Sequence, residues 1–161
     1  MEVRDRNLLE VLLKSEFDRA RRHKLHLSCI MLKLCDLEDA DSKQDVSSLD
    51  FIINESIKLL SETVRSSDIV ASYNKEKFLI VLPMVSAHST TCVAQRVWRI
   101  FKDYFYFKGT TANIPPMCMG ISSIFDQDIN SPVDLIRCAE TALNRALSKG
   151  ENAICLWKDL A

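Results

Sequence analysis

The apolar positions change period several times along the chain, and each change marks an element. Leu8, Leu9, Leu12, Leu13, Phe17 and Ala20 recur at helical spacing, which predicts an amphipathic helix over residues 6–23. Arg19, Arg21, Arg22, His23 and Lys24 crowd its end, where cations meet the negative pole of the helix. Residues 25–35 are almost continuously apolar and short, as expected of a strand covered on both faces. Asp36–Ser48 is polar and loop-like; helical spacing returns with Phe51, Ile52, Ile53, Ile57, Leu60 and Val64, and Asp50 stands where an N-cap would.

Two β-type runs, Ile69–Tyr73 and Phe78–Leu82, flank Asn74–Lys77 and predict a hairpin. Its turn lacks glycine, and Asn74 is expected to close it because asparagine tolerates positive φ. A third helix is predicted from Ala87 to Asp103, then one or two strands within residues 105–125, interrupted at Pro115-Pro116. Ser131 and Pro132 supply an N-cap and a first-turn proline for a fourth helix, Gly150 ends it, and residues 153–157 form a last strand. This order predicts an α/β fold: a central, mostly antiparallel mixed sheet flanked by helices, in one domain over residues 1–161.

Composition narrows the function classes. The net charge of -1 gives no field for holding a nucleic acid backbone or an anionic membrane, so neither is expected as a partner. No apolar stretch approaches the roughly 20 residues of a membrane span. The six cysteines include no CxxC pair and no Cys/His cluster at metal spacing, which favours buried thiols in a reducing cytoplasm over disulfides or a metal site.

Short motifs carry a more specific signal. Arg65-Ser66-Ser67-Asp68 precedes a strand, then Asn74-Lys75-Glu76-Lys77-Phe78, then an apolar strand ending at Pro83. Ala94-Gln95-Arg96-Val97, Met119-Gly120-Ile121-Ser122, and Ala139 to Leu143 leading to Lys149-Gly150-Glu151-Asn152 follow in order. Each is weak alone. Their order and spacing together resemble the GGDEF family, the diguanylate cyclase fold of bacterial signalling, across nearly the whole chain. The resemblance implies a nucleotide-cyclase-like sheet with a ferredoxin-like core. The family's lead-in before the first helix is essentially missing here.

Departures from the family pattern set the functional expectation. Active members place two glycines at the hairpin tip, where Asn74 and Lys75 stand here. The family's Mg²⁺ is held by a signature carboxylate and a second at the end of the first strand. Glu76 keeps the former, but Lys33 occupies the strand position and Lys77 replaces the next acidic residue. Lys33 and Glu76 are expected to pair where the metal would sit. Leu147 replaces a phosphate-facing lysine. Asp41 and Asp50 fall at guanine-reading positions, Asp50 serving equally as a helix cap. Phosphoryl transfer depends on metal, charge and positioning. The expectation is therefore no enzyme activity, no catalytic residue, no metal and no cofactor.

A second family site, the inhibitory or I-site, is built on RxxD five residues before the signature. Arg65 and Asp68 stand in that register, and Arg96 falls where a further arginine joins from the next helix. An arginine fork matches the O6/N7 edge of guanine, and a carboxylate accepts from guanine N1–H and N2–H. Cyclic di-GMP is thus the expected ligand, received by a silent domain that relays it to a second copy or another signalling protein. Two alternatives stay open: a ligand-free interaction or dimerisation scaffold, with Arg65 and Asp68 only a local ion pair, and an enzyme of low or altered activity. His23, His26 and His88 read as surface residues. The segment Trp98–Phe107 reads as core or partner surface rather than a base-stacking platform, and the acidic loop Asp36–Asp45 as solvated.

Overall fold

The computed structural model describes residues 1–35, 46–74, 76–107 and 116–160, with only the backbone of 46–49 and 105–107. The elements run β1 (Glu2–Val3), α1 (Arg6–His23), β2 (Leu27–Leu34), α2 (Val46–Thr63), β3 (Ile69–Ser72), β4 (Lys77–Pro83), α3 (Ala87–Phe107), β5 (Met117–Ser123), α4 (Pro132–Lys149) and β6 (Ile154–Leu156), then a 3-10 turn, Trp157–Asp159. The described strands form one six-stranded sheet in the order β1-β3-β4-β2-β5-β6. The four inner strands pair antiparallel, and the two-residue β1 and the three-residue β6 add parallel edges.

The apolar run of β2 explains its central place. Alternate side chains point to opposite faces of a strand, and here both faces are covered. Cys29 and Met31 join Leu79, Val81 and Cys118 under α1 (Leu9, Leu13, Phe17) and α4 (Leu135, Ala139, Leu143). Ile30 and Leu32 join Phe78, Ile80 and Ile121 under α2 (Ile57, Leu60) and α3 (Ala94, Val97, Phe101). The closest approach is between β5 and α4 at Gly120, where an added Cβ would lie 2.1 Å from both the Ala139 carbonyl oxygen and the Leu143 nitrogen.

Helix ends follow the cap chemistry. Asp5 caps α1 by accepting from the Asn7 N–H, and Lys24 closes it in the left-handed region at φ 54°. Ser131 caps α4 by accepting from Asp134, and Gly150 ends it at φ 120°. On the far face the Tyr104 hydroxyl donates to Glu55, tying α3 to α2. That bond to a carboxylate, more than burial, raises the phenol pKa to about 12, so the tie stays protonated across the physiological range.

Several expectations need correction. α2 begins at Val46, so Asp50 lies within the helix and cannot be its N-cap. α3 runs to Phe107 rather than stopping at Asp103, and among the described residues of the predicted strand region, 117–123 are strand. The aromatic run Tyr104–Phe107 suits a strand locally, yet its backbone is helical. Strand β1 had no signal of its own. Asn74 does not take positive φ; among the described residues outside glycine, only Lys24, Met84, Asp128 and Asn152 do. Asp41, Lys75 and Pro115 lie outside the described residues. Of the cysteines, Cys29, Cys118, Cys138 and Cys155 are buried, Cys35 is half-buried and Cys92 exposed. Burial drives the Cys29 thiol pKa far upward. All three histidines are exposed. No described helix is long and apolar enough to cross a membrane.

Candidate functional site

Two clusters of polar side chains occupy opposite ends of β3 and β4. At the hairpin end the last rung pairs Ser72 with Phe78. The turn beyond it closes through a side chain: Asn74 Oδ1 accepts from the N–H groups of Glu76 (3.1 Å) and Lys77 (2.9 Å). Asparagine thus serves this turn by imitating a backbone carbonyl. Arg6, from the start of α1, braces the same turn. Its guanidinium donates to the Tyr73 carbonyl at 2.6 Å and lies 4.2 Å from the centre of the Tyr73 ring.

Lys33 and Lys77 are direct cross-strand partners on β2 and β4. Like charges so placed repel, and two carboxylates relieve them. Lys33 Nζ lies 3.6 Å from Glu76 Oε2, and Lys77 Nζ lies 3.0 Å from Glu140 Oε1 on α4. The expected Lys33–Glu76 pair is present. Glu140 was not foreseen, because nothing in the sequence links positions so far apart. An ammonium beside the signature carboxylate does not suit Mg²⁺, which needs hard oxygen ligands. Phe78 is fully buried, and Leu147 packs against the core.

The other end holds Arg65 and Asp68. Asp68 is buried, and its carboxylate accepts from the Arg65 backbone N–H (2.9 Å) and guanidinium (Nη2, 3.2 Å). Arg65 Nη2 also donates to the Pro83 carbonyl at 2.8 Å, while the side chain remains 55% exposed. The arginine is therefore held through Nε and Nη2, and among the described residues no hydrogen bond takes its Nη1. Arg96 is exposed on α3, and among the described residues no hydrogen bond or ion pair joins it to Arg65 or Asp68. The structure thus brings two of the three predicted residues together. Beside them Met84, at φ 66°, is 59% exposed, a feature the sequence did not signal.

A βαβ-edged antiparallel sheet with helices on both faces and a short hairpin between its second and third neighbours is the fold of the nucleotide-cyclase-like domains. Residues 2–153 match the family described as "Diguanylate cyclase, GGDEF domain", and the chain belongs to the GGDEF family. It is 25% identical over 154 residues to the diguanylate cyclase DosC of Escherichia coli (strain K12), covering 96% of this chain and 33% of DosC. The chain thus spans about a third of the length of that relative. The active GGEEF domain of a diguanylate cyclase from Vibrio cholerae superposes with a TM-score of 0.86 at 22% identity, covering 95% of this chain and 96% of that one. The GGDEF domain of DgcB from Caulobacter crescentus, solved in complex with c-di-GMP, does so at 0.79 and 14% identity, covering 95% and 88%. At these identities the two structures establish the fold alone.

Proposed function

We propose that this chain is a catalytically silent GGDEF domain that receives cyclic di-GMP at Arg65, with Asp68 and Arg96, and passes the bound state to a partner. The observation that carries the reading is the grip on Arg65. A buried carboxylate and a main-chain carbonyl take Nε and Nη2 of the guanidinium, and the exposed Nη1 amino group is left to donate to the O6/N7 edge of guanine. Such preorganisation lowers the entropy lost on binding. Asp68 acts here by aiming Arg65, since its oxygens already serve that residue. Arg96 on the neighbouring helix supplies a second cation for a base or phosphate. None of these groups belongs to the hairpin end, so lysines there leave this recognition untouched. The DgcB domain, of the same fold, is known bound to c-di-GMP.

Silence rests on the Lys33–Glu76 pair. Wild-type melting temperature is expected to be indifferent to millimolar Mg²⁺. Lys33→Asp removes the pair and sets two carboxylates together, which costs about 1 kcal/mol, or about 2–4 °C for a chain of this size. Mg²⁺ should restore that loss. A variant equally stable with and without the metal would show that this end cannot present a metal site even with its carboxylate returned.

Calorimetry of the whole chain tests the receptor reading directly. Heat is expected with cyclic di-GMP and none with GTP plus Mg²⁺. Heat with GTP and Mg²⁺ would overturn the silent reading. No heat with cyclic di-GMP would overturn the receptor reading in favour of an interaction scaffold, for which the local saturation of Asp68 is the supporting observation.

A further inference from the structure

Two of the large apolar side chains left in water share one end of the sheet. Met84 and Phe125, 59% and 58% exposed, both stand at the end of the sheet that holds Arg65. Pro83, whose carbonyl takes the Arg65 guanidinium, immediately precedes Met84. The Met84 N–H donates to the His26 carbonyl at 2.9 Å, and the exposed His26 imidazole meets the Phe125 ring edge-on, with centroids 5.1 Å apart at 81°. Ile124, just before Phe125, donates to the Leu27 carbonyl just after His26. The strand order therefore lays out a strip across the sheet end: Arg65 before β3, Met84 after β4, His26 before β2, Phe125 after β5. With neighbouring strands about 4.8 Å apart, the strip spans about 15 Å.

Its chemistry is graded. A guanidinium with its Nη1 amino group left to donate comes first, then a polarizable thioether, then two rings. Methionine with positive φ is an outlier that its surroundings must hold in place, and such outliers cluster at ligand clamps. Exposed apolar surface in line with a cation is what a planar heterocycle needs: a polar edge to read and a face to cover. A cyclic dinucleotide carries two purines on one ring of two phosphodiesters, so a single ligand offers one base edge to Arg65 and a second base face beyond it. We infer that Met84, His26 and Phe125 form a stacking subsite for the second purine of the cyclic dinucleotide whose first purine Arg65 reads. This inference rests on the proposed role of Arg65 and adds to it which side chains set affinity and purine preference. Because Phe125 and Met84 make little of the core, they are free to vary without cost to the fold.

The test is calorimetric titration of the whole chain with cyclic di-GMP, in the wild type and in Phe125→Ala, Phe125→Tyr, Met84→Gly and Arg65→Ala. Phe125→Ala should weaken binding about tenfold, the size of one lost base–aromatic stack. Phe125→Tyr should restore it, a pattern that a merely structural phenylalanine at an exposed position does not give. Met84→Gly, which relaxes the backbone at φ 66°, should also weaken binding while melting no lower than wild type. If Phe125→Ala and Met84→Gly bind within twofold of wild type while Arg65→Ala does not bind, the subsite is wrong and the role of Arg65 stands. If the Phe125 and Met84 variants bind normally but lose association with a protein partner, the strip is a docking surface and the inference is overturned. If the wild type itself gives no heat, both the subsite and the receptor reading fall.

Discussion

Gly120→Ala is expected to destabilise the domain more than any other single methyl added to it. The new methyl would sit 2.1 Å from two main-chain atoms of α4, the Ala139 oxygen and the Leu143 nitrogen, and 2.8 Å from the Ala142 carbonyl carbon. No rotamer relieves that overlap, because backbone and not a flexible side chain stands in the way. α4 would have to lift off β5 by more than an ångström. Leu135, Cys138, Ala139, Ala142, Leu143 and Ala146, all buried against the sheet, would lift with it. Overpacking of well-packed cores usually costs about 1–3 kcal/mol, and this geometry belongs at or beyond the upper end. Against a total stability of about 5–15 kcal/mol, a melting temperature lower by about 10 °C or more is expected. Thermal unfolding followed by circular dichroism checks it. A loss of only a degree or two would mean that α4 slides on the sheet without penalty, and that its packing matters less to the fold than described above.

Arg65→Ala is the second large effect, and it falls on binding rather than on stability. The guanidinium is more than half exposed, and among the described residues it bonds to Asp68 and Pro83. Truncation removes a surface cation whose ion pair is worth a fraction of a kcal/mol to the fold. A charged hydrogen bond to guanine is worth about 1.5–3 kcal/mol. Affinity for cyclic di-GMP should fall about 10- to 150-fold, with the melting temperature moved by a few degrees at most. Asp68→Asn separates aiming from contact. The amide keeps the shape but weakens the hold on the Arg65 N–H and guanidinium, so it should lose part of the affinity and some stability, since the group is buried. If Arg65→Ala binds like wild type, cyclic di-GMP does not use this end of the sheet. If Asp68→Asn alone binds normally, Arg65 needs no aiming.

The sequence carried most of the fold because the main signals were local. The doubly buried strand β2, the cap and proline at Ser131-Pro132, the glycine stop at Gly150 and the β3–β4 hairpin are each written within about ten consecutive residues. What escaped depends on the rest of the chain. Glu2 and Val3 are a strand only because β3 lies beside them, in parallel register with Val70 and Ala71. Tyr104 to Phe107 carry β-favouring aromatic residues, yet packing of Val97 and Phe101 below them continues the helix. At the hairpin end, the Lys33–Glu76 pair followed from the two positions once the family pattern was recognised, whereas Glu140 could come only from the packing of α4. Asn74 illustrates a finer limit: its presence in a turn was legible, but not which of its two talents, an unusual φ or a bonding side chain, the turn would use. The strip beyond Pro83 left no trace, since single exposed apolar residues such as Met84 and Phe125 are ordinary until topology lines them up.

The β2–β4 ladder has a bearing on how such a domain changes its trade. Seven successive rungs, from Leu27–Pro83 to Lys33–Lys77, are held by main-chain bonds that do not register which side chains they carry. At the outermost rung, charge is balanced by carboxylates arriving from a turn and from a helix. Substitutions at that rim can swap an acidic lining for a basic one while the ladder beneath stays as it is. A scaffold of this kind can change the chemistry of its rim while keeping one fold.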